Sequence, residues 1–298
     1  MSKSLILVTG ATGKTGSAVV RQLLDRGYPV RATVRKRDER ADELESLGAE
    51  AVVADFHDLR SMRDAMEGAE RTYFVYPPQG GRLIEATAIA ATAAQDAGIR
   101  GFVNMSQISA REYSDSPLAR HHWLSERILD WADVGAIHIR PTFFAEMLHI
   151  LGAQTIATQG KLYLPYGDER HAPVAASDIA RVVVGLLMDP EPHVGERYVL
   201  TGPKNLTVAE MASVLSEELG TTVEYVDLPV DAWGEVISEA NGMNEFLVTH
   251  LKAVALDHQN GIFSAETDAV ERIGGQPPQS LPEFIRENID AFGVASHA

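Results

Sequence analysis

The segment Leu5-Ile-Leu-Val-Thr9-Gly10-Ala-Thr-Gly13-Lys-Thr-Gly16-Ser-Ala-Val-Val20 decides the fold. Its apolar start, Leu5–Thr9, reads as a buried strand. Three glycines follow at a spacing of three. Val19, Val20, Leu23 and Leu24 then share one face of a helix over Ser17–Arg26, which Gly27 stops. Strand, glycine turn and helix in this order open a βαβ unit built to receive a dinucleotide. Gly10 permits the tight bend, Gly13 lets the backbone approach a pyrophosphate, and Gly16 lets the helix pack closely on the strand. Thr12, Lys14 and Thr15 complete the loop and present amides, at the positive end of the helix, to the phosphates. Gly13-Lys14-Thr15 imitates the end of a nucleotide kinase loop, but that loop needs a glycine where Val8 stands. A glycine turn without a ligand is the plain alternative.

Outward from this unit, β-rich runs at Val30–Arg35, Ala51–Asp55, Thr72–Tyr76, Gly101–Ser106 and Ala136–Arg140 alternate with helical patterns, including Arg82–Ala97 and Pro117–Asp133. That alternation predicts an α/β fold, a Rossmann-like parallel sheet flanked by helices. After Pro141 the rhythm breaks at Pro165, Pro173, Pro190, Pro192 and Pro203. The expected division is a dinucleotide-binding domain over 1–150, to whose sheet later segments return, and a smaller α/β substrate-side lobe over 151–298. A last amphipathic helix is predicted with Leu281, Phe284, Ile285, Ile289 and Phe292 on one side.

Composition narrows the function. With 45% hydrophobic and 23% charged residues the chain is an ordinary globular one, neither collagen-like nor disordered. The absence of cysteine removes disulfides, thiolate metal sites and cysteine nucleophiles. A net charge of −16 with no basic cluster argues against nucleic acid. Apolar runs such as Leu5–Val8 and Val182–Val184 are far shorter than the roughly 20 residues that cross a bilayer. The expectation is a cytoplasmic protein with no membrane segment. Glu146 and His149 have the spacing of half a di-iron site, but no second pair exists, so no metal is expected.

At the end of the second strand, Arg35-Lys36-Arg37 occupies the place where an acid often meets the adenosine ribose. Cations there suit a 2′-phosphate, with Arg35 as the fork and Lys36 beside it; a solvated basic turn is the alternative. Asp55, ending the third strand, is placed to accept from an adenine amino group, or else to cap a loop. Phe56 is placed to lie along the adenine ring, and Asp58 caps the next helix.

Taken together, Thr9-Gly-Ala-Thr-Gly-Lys-Thr-Gly16, Val30-Arg-Ala-Thr-Val-Arg35, Ala54-Asp55-Phe-His-Asp58, Phe102-Val-Asn-Met-Ser106, His122-Trp-Leu-Ser-Glu126 and Ile139-Arg-Pro-Thr-Phe-Phe-Ala-Glu-Met147 resemble one group over nearly the whole chain. It is the atypical short-chain dehydrogenase/reductase group of NmrA-like proteins, quinone oxidoreductases and triphenylmethane reductases. The resemblance implies NADP(H) bound on a Rossmann-like domain, with the smaller lobe as the far wall of the cleft. It places Tyr76, Pro77 and Pro78, and Pro141 with Phe143, beside the ribose and nicotinamide. Ser106 matches the serine of the wider superfamily's Ser-Tyr-Lys set. Tyr-x-x-x-Lys is missing, and His122-x-x-x-Glu126 stands in its place. One helical turn separates these two, so Glu126 is expected to orient the His122 imidazole or bond the ribose, a surface pair being the alternative. Asp178 matches a recurrent acid of the group but reads as part of a helix start.

Phe144, Met147, Tyr163 and Trp233 are candidate contacts for a flat apolar substrate, although buried aromatics usually serve a core. The expected activity is an NADPH-preferring oxidoreductase acting on a conjugated, quinone-like aromatic molecule. Two alternatives stay open: a nucleotide-sensing regulator that docks on a protein partner, and a reductase or isomerase of secondary metabolism.

Overall fold

The computed structural model describes residues 3–78 and 81–293. Along the chain it runs β1 (Leu5–Val8), α1 (Lys14–Asp25), β2 (Val30–Val34), α2 (Glu39–Ser46), β3 (Glu50–Val53), α3 (Leu59–Met66), β4 (Ala69–Phe74), α4 (Leu83–Ala97), β5 (Gly101–Met105), α5 (Pro117–Ala132) and β6 (Ala136–Pro141). It continues through α6 (Met147–Gln159), β7 (Lys161–Tyr163), β8 (Arg170–His171), α7 (Ala176–Met188), β9 (Arg197–Leu200), β10 (Leu206–Thr207), α8 (Val208–Leu219), β11 (Glu224–Val226), α9 (Val230–Asn241), α10 (Glu245–Gln259), α11 (Ala269–Gly274) and α12 (Leu281–Glu287).

Seven strands pair in parallel in the order β3-β2-β1-β4-β5-β6-β9, so the chain returns to the main sheet with β9 after leaving it at β6. Side chains alternate across the sheet as a two-residue period requires. Ile6, Val8, Tyr73 and Val103 meet α1, α2, α7 and α11 on one face. Leu7, Phe74 and Phe102 meet α3, α4 and α5 on the other. Small Ala86, Ala90, Ala93 and Ala94 let α4 lie close to its neighbours. The order reverses at β1 and β4, which puts a ligand crevice at their carboxyl ends. Among the described residues no helix is long and apolar enough to cross a membrane.

A second core gathers α6, α8, α9, α10 and α12 with the short pairs β7–β11 and β8–β10. The predicted terminal helix is shorter than expected. It stops at Asn288 and a tighter turn, Ile289–Phe292, follows, so Leu281, Phe284, Ile285 and Phe292 are buried while Ile289 is exposed.

In this core His258 is stacked between Tyr166 and Phe263, with ring centroids 3.8 and 3.6 Å away. Its Nδ1 lies 3.0 Å from Nδ1 of His171. Such a contact needs one protonated and one bare nitrogen, so the pair is satisfied when both rings are neutral. Burial depresses His171 to about 4 and holds His258 well below its ordinary value. Folded-state values below the unfolded one mean stability present above about pH 6.5 and lost as pH falls toward 4. The melting temperature should therefore drop between pH 6.5 and 4.5, and His258→Phe should flatten that slope relative to the unaltered protein in parallel thermal scans.

Candidate active site

The glycine turn is dictated by space. Gly10 has φ +56°, and a Cβ there would stand 2.7 Å from the Val75 side chain. A Cβ on Gly16 would overlap the Gly10 carbonyl. Gly13 differs: its backbone is extended, and a Cβ would meet only the Gly10 oxygen, at 3.2 Å. Its open side is the face a pyrophosphate needs. The helix α1 starts without a side-chain cap, so its first amides are left for an anion. Thr9 ties the turn to β4, its hydroxyl accepting from the Val75 amide at 2.9 Å. The Thr15 hydroxyl points inward and accepts from Tyr73 at 3.0 Å. These features fit a dinucleotide.

Of the three cations after β2, Arg35 is exposed and has no partner among the described residues. Lys36 is held only loosely, 4.0 Å from Asp38. Arg37 is turned away into a bond with Glu45 and the Ala51 carbonyl. Asp55 accepts from the His57 amide at 2.9 Å and stays exposed, while Asp58 caps α3 through the amides of Arg60 and Ser61. Phe56 stands edge-on to Phe74 and Tyr76, and the Tyr76 hydroxyl lies 3.2 Å from His57 Nε2. Pro77 and Pro78 follow beyond β4.

The expected His122–Glu126 pair does not form. The Glu126 side chain is fully buried and receives a two-pronged bond from Arg140, at 2.8 and 2.6 Å. Arg197 adds a third bond at 3.1 Å, and the Ser106 hydroxyl a fourth at 2.6 Å. Burial pushes this carboxyl up, but the arginine and serine bonds outweigh it, so its pKa lies below the ordinary value. Glu126 is thus a fixed anion, and Ser106 is committed to it. His122 is half-buried, and its Nδ1 has no partner. Burial, with His250 nearby, lowers its pKa to about 3, so the imidazole is neutral at pH 7.

Pro141 ends β6 and is followed by Phe143, which is buried among Tyr166, His171 and His258. Phe144 bridges to Val174 and Met147 opens α6, both part-buried. Tyr163 donates to Gln159 at 3.0 Å. Trp233, expected at the substrate, is instead a core residue: it is 1% exposed and donates to the Tyr163 carbonyl. Asp178 accepts from the Gln279 amide and pairs with Arg181, a structural role. Glu146 accepts from the Ala176 amide, and His149 stacks on Phe284. Among the described residues no group of three or more metal-ligating side chains is assembled.

Sequence reasoning missed α10. One turn and then two turns apart, it sends Phe246 onto the His121 ring, His250 onto Ser116 and Asp257 onto Arg111, all in the segment between β5 and the first turns of α5. No spacing signal marks these contacts, because apolar residues surround the helix.

The NmrA-like family model matches residues 2–268. An NAD(P)H azoreductase of Xenophilus azovorans is 31% identical over 98% of this chain and 100% of its own. A triphenylmethane reductase of Citrobacter sp., solved with NADP(H), superposes with a TM-score of 0.83 at 24% identity, covering 95% of this chain and 99% of its own. The NADPH-dependent quinone oxidoreductase QOR2 of Escherichia coli, solved with NADPH, gives 0.83 at 23% identity with the same coverages. The two structural likenesses establish the fold.

Removing a buried anion's charge leaves its arginines unpaired, a loss of roughly 3–5 kcal/mol when one partner of a buried pair disappears. Glu126→Gln, which keeps part of the hydrogen bonding, should cost about 3 kcal/mol in urea unfolding. The midpoint should shift without a change in slope.

Proposed function

The chain belongs to the NmrA-like family, and from that premise we propose that it is an NADPH-preferring reductase of conjugated aromatic acceptors, of the quinone or azo type. The observation that carries the reading is that none of Ser106, His122 and Glu126 is a ready acid. Glu126 is a locked anion, Ser106 is bound to it, and His122 is a neutral imidazole. A ketone reduced at such a site would leave an alkoxide with no strong acid to protonate it. A quinone spreads the new charge through its ring, and an azo group passes it between nitrogens conjugated to rings, so water suffices as proton source.

Bound NADPH supplies the hydride. The amides after Gly13 hold its pyrophosphate, and Arg35 with Lys36 meets its 2′-phosphate. His122 offers a neutral N–H rather than a transferable proton. The azoreductase relative and the dye- and quinone-reducing structural neighbours support this substrate class.

Calorimetry should show NADPH binding more tightly than NADH, with Arg35→Ala shrinking the preference by about ten- to a hundredfold, the worth of a charge-assisted contact of ~1.5–3 kcal/mol. Equal affinities in the unaltered protein would sink this assignment. NADPH bound but oxidised by no member of a quinone and azo dye panel would leave a nucleotide-sensing regulator instead.

His122→Ala should lower kcat less than about tenfold, because positioning outweighs acid catalysis for these acceptors. Since the ring is neutral down to about pH 3, its removal should leave the kcat profile between pH 5.5 and 8 unchanged in shape. A titration lost with His122 would show that it does carry the proton.

A further inference from the structure

Among the described residues, the charged and titratable groups that act most on His122 are His250, Glu126, His121 and Arg140, and of these four His250 comes from the C-terminal lobe. It lies on α10, whose docking onto the β5–α5 segment is fixed on both sides of it. Phe246, one turn earlier, stacks on His121 with centroids 5.9 Å apart. Asp257, two turns later, holds Arg111 in a two-pronged bond at 2.8 and 2.6 Å.

The His250 tautomer follows from its neighbour. Ser116 is fully buried, and its oxygen caps α5 by accepting from the Ala119 amide at 3.0 Å. Among the described residues the only other group on that oxygen is His250 Nδ1, at 2.7 Å. If Nδ1 donated, the buried Ser116 hydroxyl hydrogen would have no acceptor, an unfavourable state. The hydroxyl therefore donates to Nδ1, and the hydrogen of the neutral ring sits on Nε2. That nitrogen has no partner among the described residues, and it is not one of the atoms sealed from solvent.

We propose that His250 is a second hydrogen-bond donor to the substrate, reaching from the C-terminal lobe to the acceptor oxygen or nitrogen near His122. The inference rests on the reductase reading above. A quinone that takes up a hydride becomes a hydroquinone monoanion, and a proton from water completes the hydroquinone. His250 keeps its own proton throughout and shares it only in a hydrogen bond that strengthens as charge gathers on the oxygen. Burial, against a smaller opposing pull from Asp257, holds the ring at a pKa of about 4, so the donor is neutral across the working range.

The test uses the full chain saturated with NADP+, which cannot deliver hydride, and menadione as the quinone probe, with binding read by calorimetry. His250→Leu should weaken menadione about ten- to fiftyfold with NADP+ affinity kept within twofold. His250→Gln, which retains an N–H near the Nε2 position, should recover most of the loss. Menadione affinity unchanged in His250→Leu, or an equal loss of NADP+ affinity, overturns the proposal.

A measurement on the unaltered protein stands beside the variants. Ring 15N shifts should show Nε2 protonated and Nδ1 bare, and menadione should move the Nε2 signal. The opposite tautomer, or an Nε2 that menadione leaves unmoved, also overturns it. An unaltered protein that reduces neither quinones nor azo dyes brings down the reductase reading and this role with it. Turnover in the unaltered protein with no binding defect in His250→Leu brings down this role alone.

Discussion

A carboxylate with no exposed surface must be surrounded by donors or it will not stay charged, and Glu126 imposes that demand on the β5-β6-β9 side of the sheet. Its donors come from the end of β5, from β6 and from β9. Satisfying it fixes the azimuth of α5 against three strands and puts Ser106, the residue at the lip of the crevice, in a set orientation. Asp130, one turn on, extends the same cluster by accepting from His138 at 3.0 Å and from Arg197. Desolvating such charges costs several kcal/mol per ion, so the gain is specificity of arrangement more than raw stability. The helix that carries His122 is placed by this cluster, and His122 itself adds no bond to it.

Local steric demands were readable before any coordinates. Gly10 and Gly16 answer to contacts within a few residues or with the adjacent strand, and Asp58 caps the helix that begins next to it. Period-two and helical patterns located the six strands from β1 to β6 and the helix α5 for the same reason. The pairing of Glu126 was not readable. One turn of helix makes His122 the obvious partner, whereas the actual donors, Arg140, Ser106 and Arg197, stand 14, 20 and 71 residues away and become neighbours only when the sheet assembles. Likewise Arg37 belongs to the basic run after β2, but Ala51 on the next strand and Glu45 on α2 claim it.

The C-terminal lobe was harder to read because its helices lack a single wet face. In α10, Leu247, Val254 and Ala255 are buried in one direction, Phe246 and His250 face the other lobe, and Leu256 is exposed. A helix clamped between two bodies carries two contact faces, and their superposition erases the one-stripe pattern on which sequence reading depends. Trp233 was misplaced for a related reason. A large aromatic near a proposed cleft is equally at home behind it, and here its ring packs on Tyr166 under the aromatic stack that holds His258.

These arrangements converge on the chemistry. His122 and His250, where α10 docks on α5, have their protonated forms suppressed by burial and are neutral, as are His171 and His258 inside the second core. Neutral donors stabilise developing charge through fixed dipoles but surrender no proton readily. Glu126 cannot act as an acid either, because Arg140 and Arg197 hold it ionised. Under the proposed function, a site built this way suits an acceptor whose product anion is already stabilised by conjugation better than one whose product is a localised alkoxide. On the reading proposed above, the missing Tyr-x-x-x-Lys pair and the burial of the residues present argue in the same direction, for flat, delocalised hydride acceptors.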